Sequence, residues 1–147
     1  MSYNGQAQRK NQRFSEQKKK KDVAPVNLEP MQLPDDYVQA AEDVMNARPN
    51  ITTSKIRSIL SLVSAVYNVE NVRTEETLLP DSKEKIQMMR IRILYEAGRD
   101  ENVKEFVIKS HLINYIKDIG DSRKKFIRFA KYMEALVAYH RYFGGKE

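Results

Sequence analysis

Two histidines, twenty carboxylates and no cysteine are the main stock from which this 147-residue chain could build a reactive centre. The missing cysteine excludes disulfides, thiolate metal sites and sulfur nucleophiles. His111 falls at a helix junction, and His140 on or near the apolar stripe of the last helix. Each reads as a structural, hydrogen-bonded histidine rather than a general base. The adjacent acids Asp35-Asp36 and Glu75-Glu76 lie near a helix end and in a loop, where solvated surface accounts for them better than a paired acid and base. HExxH, GxSxG, Walker, GxGxxG and EF-hand spacings are all absent. These residues argue against an enzyme, and call for neither cofactor nor metal.

What the chain does have is positive charge. Lys and Arg number 26 against 20 Asp and Glu, a net charge of +6 with a pI near 9.4. A basic balance points towards nucleic acid, but its distribution matters more. Residues 1–34 hold seven Lys/Arg against three Asp/Glu, so most of the excess lies there, with the run Lys18 to Lys21. In the remainder, three clusters fall on predicted helices. Lys55 and Arg57 sit in the first turns of one helix, where a cation opposes the helix dipole and phosphate suits the free amides. Arg90, Arg92 and Arg99 share a second helix; Arg92 and Arg99 lie two turns apart on one face, and Arg92 also has Glu96 as an i,i+4 partner. Arg123, Lys124, Lys125, Arg128 and Lys131 open the last helix, with Lys124, Arg128 and Lys131 stacked on one side. The candidate nucleic-acid contacts are therefore Lys55, Arg57, Arg92, Arg99, Lys124, Lys125, Arg128 and Lys131. Tyr132, Tyr139, Tyr142 and Phe143 could stack on bases, though helical spacing reads first as core. No base-reading motif is visible, so binding is expected to follow the backbone and ignore sequence.

Helices must carry these residues. Apolar residues at 41% and charged residues at 31% suit one modest core inside a charged surface. Residues 1–34 are poor in apolar groups and read as a disordered basic tail ending at Pro34. Residues 35–147 read as one all-α bundle of about five helices, with no period-two alternation to suggest a strand.

The first helix is expected over 35–47, burying Val38, Ala41 and Met45. The second runs over 53–69 on Ile56, Ile59, Leu60, Val63, Val66 and Tyr67, capped by Thr52, Thr53 or Ser54. An acidic loop with Glu70, Glu75 and Glu76 follows. The third opens after Pro80 with an Asp81 or Ser82 cap, buries Ile86, Met89, Ile93, Leu94 and Ala97, and ends at a left-handed Gly98; Met88 is assigned to packing. The fourth carries Val103, Phe106, Val107 and Ile108 and continues, with a kink, to Gly120. The fifth is capped by Asp121-Ser122, buries Phe126, Phe129, Ala130, Met133, Leu136, Val137 and His140, and ends at Gly144-Gly145. No apolar run reaches the about 18 residues of a membrane helix, and no secretory signal opens the chain, so a cytoplasmic protein is expected.

Three segments in order carry a resemblance: Thr52-Thr53-Ser54-Lys55-Ile56-Arg57, then Tyr95-Glu96-Ala97-Gly98-Arg99, then Tyr132-Met133-Glu134-Ala135-Leu136-Val137-Ala138-Tyr139-His140. Together they resemble the successive signature segments of the Csm small-subunit family of type III-A CRISPR systems, over roughly residues 51–143. The resemblance implies a small helical subunit without nuclease activity, stacked in several copies as a minor filament along crRNA and its paired target RNA. It implies contacts with the backbone subunits, with the large polymerase-nuclease subunit and with copies of itself, in antiviral defence. Sequence would be left to base pairing, as in other guide-directed assemblies. By position, Lys55 and Arg57 lead the candidates, and Arg99 serves fold or interface. A helical protein–protein adaptor, pairing the acidic first helix with the basic last one, is the first alternative. A DNA-binding regulator is the second.

Overall fold

A computed structural model describes residues 26–147, which form six helices and no strand. In order these are α1 (Tyr37–Asn46), α2 (Thr53–Glu70), α3 (Pro80–Arg99), α4 (Glu101–Lys109), α5 (Leu112–Ile119) and α6 (Arg123–Tyr142). None of them is long and apolar enough to cross a membrane.

Local chemistry sets most of the boundaries. The Thr52 hydroxyl accepts the Lys55 amide at 3.2 Å and starts α2. Asp100 accepts the Asn102 and Val103 amides at 2.9 and 3.4 Å and starts α4. Ser122 accepts the Lys125 amide at 3.2 Å and starts α6. Pro80 stands at the first position of α3, where its missing N–H costs nothing. Neither Asp81 nor Ser82 caps that helix. Gly98 is helical rather than left-handed, and α3 runs one residue past it.

The expected fourth helix is two. His111 adopts a left-handed conformation (φ 56°, ψ 30°) and separates α4 from α5. Such a geometry is uncommon for a residue with a Cβ. The Ser110 hydroxyl donates to the Phe106 carbonyl at 2.7 Å, and the Tyr132 hydroxyl donates to the Ser110 carbonyl at 2.8 Å. The break is thus braced from the buried side, and burial pushes the Tyr132 phenol upward.

α6 is the central element, packing on α1, α2 and α5, while α3 packs on α2 and α4. Phe126, Phe129, Tyr132, Met133 and Leu136 of α6 are buried against Ile56, Ile59, Val63 and Val66 of α2 and against Ala41 and Met45 of α1. Each large side chain buried in this way contributes about 1.5–3 kcal/mol. Val38, Met88, Leu94 and Ile108, expected inside, are exposed. Each lies at the margin of a helix face whose centre is filled by Ala41, Met89, Ile93 and Val107.

Glu70 is not a loop acid. It ends α2, and its side chain has no exposure to solvent. Its carboxylate accepts from the Ser82 hydroxyl at 2.7 Å, from the Leu79 amide at 3.3 Å and from the Arg73 guanidinium. Its main-chain carbonyl accepts from Arg123 Nε at 2.8 Å. Burial raises its pKa, but the bonds from Ser82, Arg73 and Leu79 and the Arg73 charge outweigh burial and hold it below the ordinary 4.5.

Residues 26–34, placed in the tail by composition, are seated on the bundle. The Asn114 side-chain amide donates to the carbonyls of Asn27 and Glu29 at 2.9 and 2.8 Å, and the Met31 amide donates to the Asn114 carbonyl at 3.0 Å. Met31 and Leu33 pack on the core. The folded unit therefore begins before residue 35. The run Lys18 to Lys21 lies outside the described residues.

Three outcomes are expected. Glu70→Ala should cost about 1–3 kcal/mol in a urea melt, because it leaves the Ser82 hydroxyl and the Leu79 amide without their acceptor, while Arg73 keeps Glu75 and the Thr77 carbonyl. The depressed pKa of Glu70 means that its contribution is full above the unfolded value of 4.5 and lost as pH falls below it. Glu70→Gln should therefore flatten the acid limb of the stability profile. Asn114→Ala should release residues 26–30 to limited proteolysis while leaving helicity by circular dichroism unchanged.

Candidate nucleic-acid interface

The antiparallel packing of three long helices decides which basic residues meet. Ser82 against Glu70 and Lys55 against Glu96 set α3 antiparallel to α2. Arg123 against Glu70 and His140 against Ile51 do the same for α6. The start of α2 therefore lies beside the ends of both α3 and α6.

Four predicted cations converge there. Lys55 Nζ is 3.6 Å from Glu96 Oε2, and Arg92 Nε and Arg99 Nη1 are 3.9 and 3.8 Å from Glu96 Oε1. One carboxylate serves three cations, so their charge is only partly offset. Arg99 also lies over the Tyr95 ring at 5.4 Å. Arg57 is exposed half a turn further round α2, on the side that faces α6, in a groove of about 680 Å³ lined by Thr53, Ser54, Val137, Ala138 and Arg141. Arg141, missed in the sequence, pairs with Glu147 at 3.1 Å while both side chains stay largely in solvent. Surface pairs of that kind contribute about 0–1 kcal/mol. Only its place beside His140 in the third signature segment could have drawn attention to it.

The last-helix cluster behaves differently. Arg128 bonds to the Asp35 carboxylate at 3.1 Å and the Pro34 carbonyl at 3.4 Å, and its guanidinium covers the Tyr37 ring at 5.6 Å. Lys125 pairs with Asp118 at 3.3 Å. Arg123 is held on Glu70. Lys124 and Lys131 are exposed and form no ion pair among the described residues. Lys124 is thirteen residues from Val137 of the groove, about 20 Å along α6. The eight predicted residues thus divide into four around the start of α2, three of them on Glu96, and four along the first half of α6, of which Arg128 is tied to the fold.

A protein-family model described as Csm2 Type III-A matches residues 31–146. The chain belongs to that family. A protein named CRISPR system Cms protein Csm2 from Mycobacterium tuberculosis (strain CDC 1551 / Oshkosh) is 38% identical over 121 residues, covering 78% of this chain and 97% of its own length. Proteins of the same name from Streptococcus thermophilus and Enterococcus italicus are 39% and 30% identical, over 66% and 63% of this chain and 76% and 68% of their own. The expected assignment holds: the chain is the small subunit of a type III-A CRISPR complex.

The three signature segments that carried the resemblance meet at one end of the bundle. The first starts α2, the second ends α3, and the third runs along α6 to His140. His140 is buried, with Nε2 2.7 Å from the Ile51 carbonyl, and Gly145 lies against its ring where a Cβ would clash. It is a structural residue that fixes this end. His111 is exposed and sits edge-on to Tyr115. Of the aromatics, Tyr132 is core, Tyr139 and Phe143 pack against the core, and Tyr142 is exposed. No group of three His, Asp or Glu residues able to hold a metal occurs among the described residues.

Arg128→Ala is expected to cost about 1–2 kcal/mol in a urea melt, through loss of the Tyr37 contact and a charged hydrogen bond. Lys124→Ala should stay within about 0.5 kcal/mol of the parent protein.

Proposed function

We propose that this subunit stacks in several copies as a minor filament along crRNA and its paired target RNA in the cytoplasm. It holds the guide–target duplex through phosphate contacts that ignore sequence, and performs no chemistry itself. The observation that carries this reading is the meeting of Lys55, Arg92 and Arg99 on the single carboxylate Glu96, at the same end of the bundle as the groove that holds Arg57. The positive end of the α2 dipole adds to the same field. The groove beside Arg57 offers a track for a sugar-phosphate backbone. Lys124 and Lys131 stand as a secondary contact. Lys125, whose pair with Asp118 is as open to solvent as that of Lys55 with Glu96, belongs with them, whereas Arg128, held by Asp35, Pro34 and Tyr37, serves the fold.

Few phosphates are contacted per copy, so one subunit binds weakly and with strong salt dependence. Repetition along the filament supplies avidity. The adaptor reading survives as a second role for another face. Met88, Ile91 and Tyr95 form an exposed apolar stripe along α3, suited to a neighbouring subunit of the complex. The backbone subunit, the large polymerase-nuclease subunit and a second copy are the partners proposed for such faces.

The test is binding of a labelled single-stranded RNA and a matched duplex at two salt concentrations. The full chain, a form lacking residues 1–25 and a Lys55→Ala/Arg57→Ala double variant are compared. Binding should be indifferent to sequence and survive loss of residues 1–25. In the double variant the slope of log affinity against log salt should fall by about 1.4 on single strands, roughly 0.7 per lost contact. Wild-type binding by the double variant, or binding abolished with residues 1–25 alone, overturns the assignment.

A further inference from the structure

We propose that Tyr142 is a stacking platform for an unpaired RNA base at the rim of the basic groove, an inference that rests on the RNA-binding reading above. Tyr142 is 81% exposed, the most exposed large hydrophobic residue among those described. A solvent-facing aromatic at a helix end is ordinarily mobile, but this one is braced. Its ring meets Phe143 edge-to-face at 5.4 Å, and Phe143 stacks on Tyr139 at 6.0 Å with the planes 22° apart. Tyr139 and Phe143 are packed against the core. One edge of the Tyr142 ring is therefore fixed while most of its surface faces water, so a base that stacks there loses little ring entropy.

Position gives the platform its meaning. Tyr142 is one turn beyond Ala138, which lines the groove with Arg57 and Arg141, so the residue stands just past the end of that lining, at the rim. The groove, at about 680 Å³, falls within the roughly 300–1,000 Å³ that small-ligand sites occupy. Glu147 also lines it, through a pair with Arg141 that phosphate can displace. A basic track with an aromatic beside it is the arrangement that holds single strands irrespective of sequence, because every base offers a π face. The other aromatics among the described residues do not meet these terms. Tyr132 is buried, and Tyr95 has Arg99 over its ring.

The absence of tryptophan makes the test direct, since Tyr142→Trp would be the sole tryptophan of the full chain. Its emission is followed on titration with an oligouridylate and with an abasic RNA of equal length, while anisotropy of each labelled RNA reports binding independently. Emission should be quenched by the oligouridylate, saturating with its anisotropy, and not by the abasic strand. Tyr142→Ala should bind the oligouridylate about tenfold more weakly, the abasic strand as before, and Tyr142→Phe should bind both like the parent. Binding without quenching, equal quenching by both RNAs, or equal loss on both in Tyr142→Ala overturns the stacking assignment while the RNA-binding reading stands. Failure of the parent chain to bind either RNA overturns both.

Discussion

A single buried carboxylate sets the geometry on which the rest depends. Glu70 closes the end of α2 and reaches into the following loop, into the first turn of α3 and, through its main chain, to Arg123 at the start of α6. A charge taken out of water is tolerable only when its hydrogen-bonding capacity is met, and here it is met by Arg73 and the Leu79 amide of the loop and by Ser82 of α3, which must turn back antiparallel to α2 for its hydroxyl to arrive. At the opposite end, His140 on the Ile51 carbonyl repeats the fixing between α2 and α6. Two polar anchors, one at each end, hold three long helices in register. The convergence of Lys55, Arg57, Arg92 and Arg99 follows from that register.

The regular parts of the fold were legible because they repeat. The face of α2 formed by Ile56, Ile59, Val63 and Val66 announces itself through period and length, as does the α6 face of Phe126, Phe129, Met133 and Leu136. The break at His111 was legible as a junction and a kink but not as a full separation into two helices, since neither Gly nor Pro marks it and its support comes from Ser110 and Tyr132. Glu70 resembled a loop acid because its partners Ser82 and Arg123 are distant in sequence. The seat of residues 26–34 escaped for a related reason. Its anchors are main-chain carbonyls received by Asn114, and main-chain groups leave no trace in composition.

Charge and helix position picked out eight candidate cations alike, Arg128 among them, although the fold itself holds that residue against Asp35, the Pro34 carbonyl and the Tyr37 ring. A list of positive residues cannot distinguish a cation left in solvent from one held by a neighbouring element. Packing makes that distinction. It also sorts the aromatics, sending Tyr132 inward to Ser110 and leaving Tyr142 in solvent.

The sharing of Glu96 among Lys55, Arg92 and Arg99 has a consequence for how this surface tolerates change. Three cations share one carboxylate at 3.6–3.9 Å, so each is held by a charge that the other two also draw on. Their effects are therefore coupled rather than additive. A substitution at one cation leaves the carboxylate two partners, whereas a change at Glu96 alters the environment of all three at once. The tolerance of this part of the surface to mutation is set by its acid rather than by its bases.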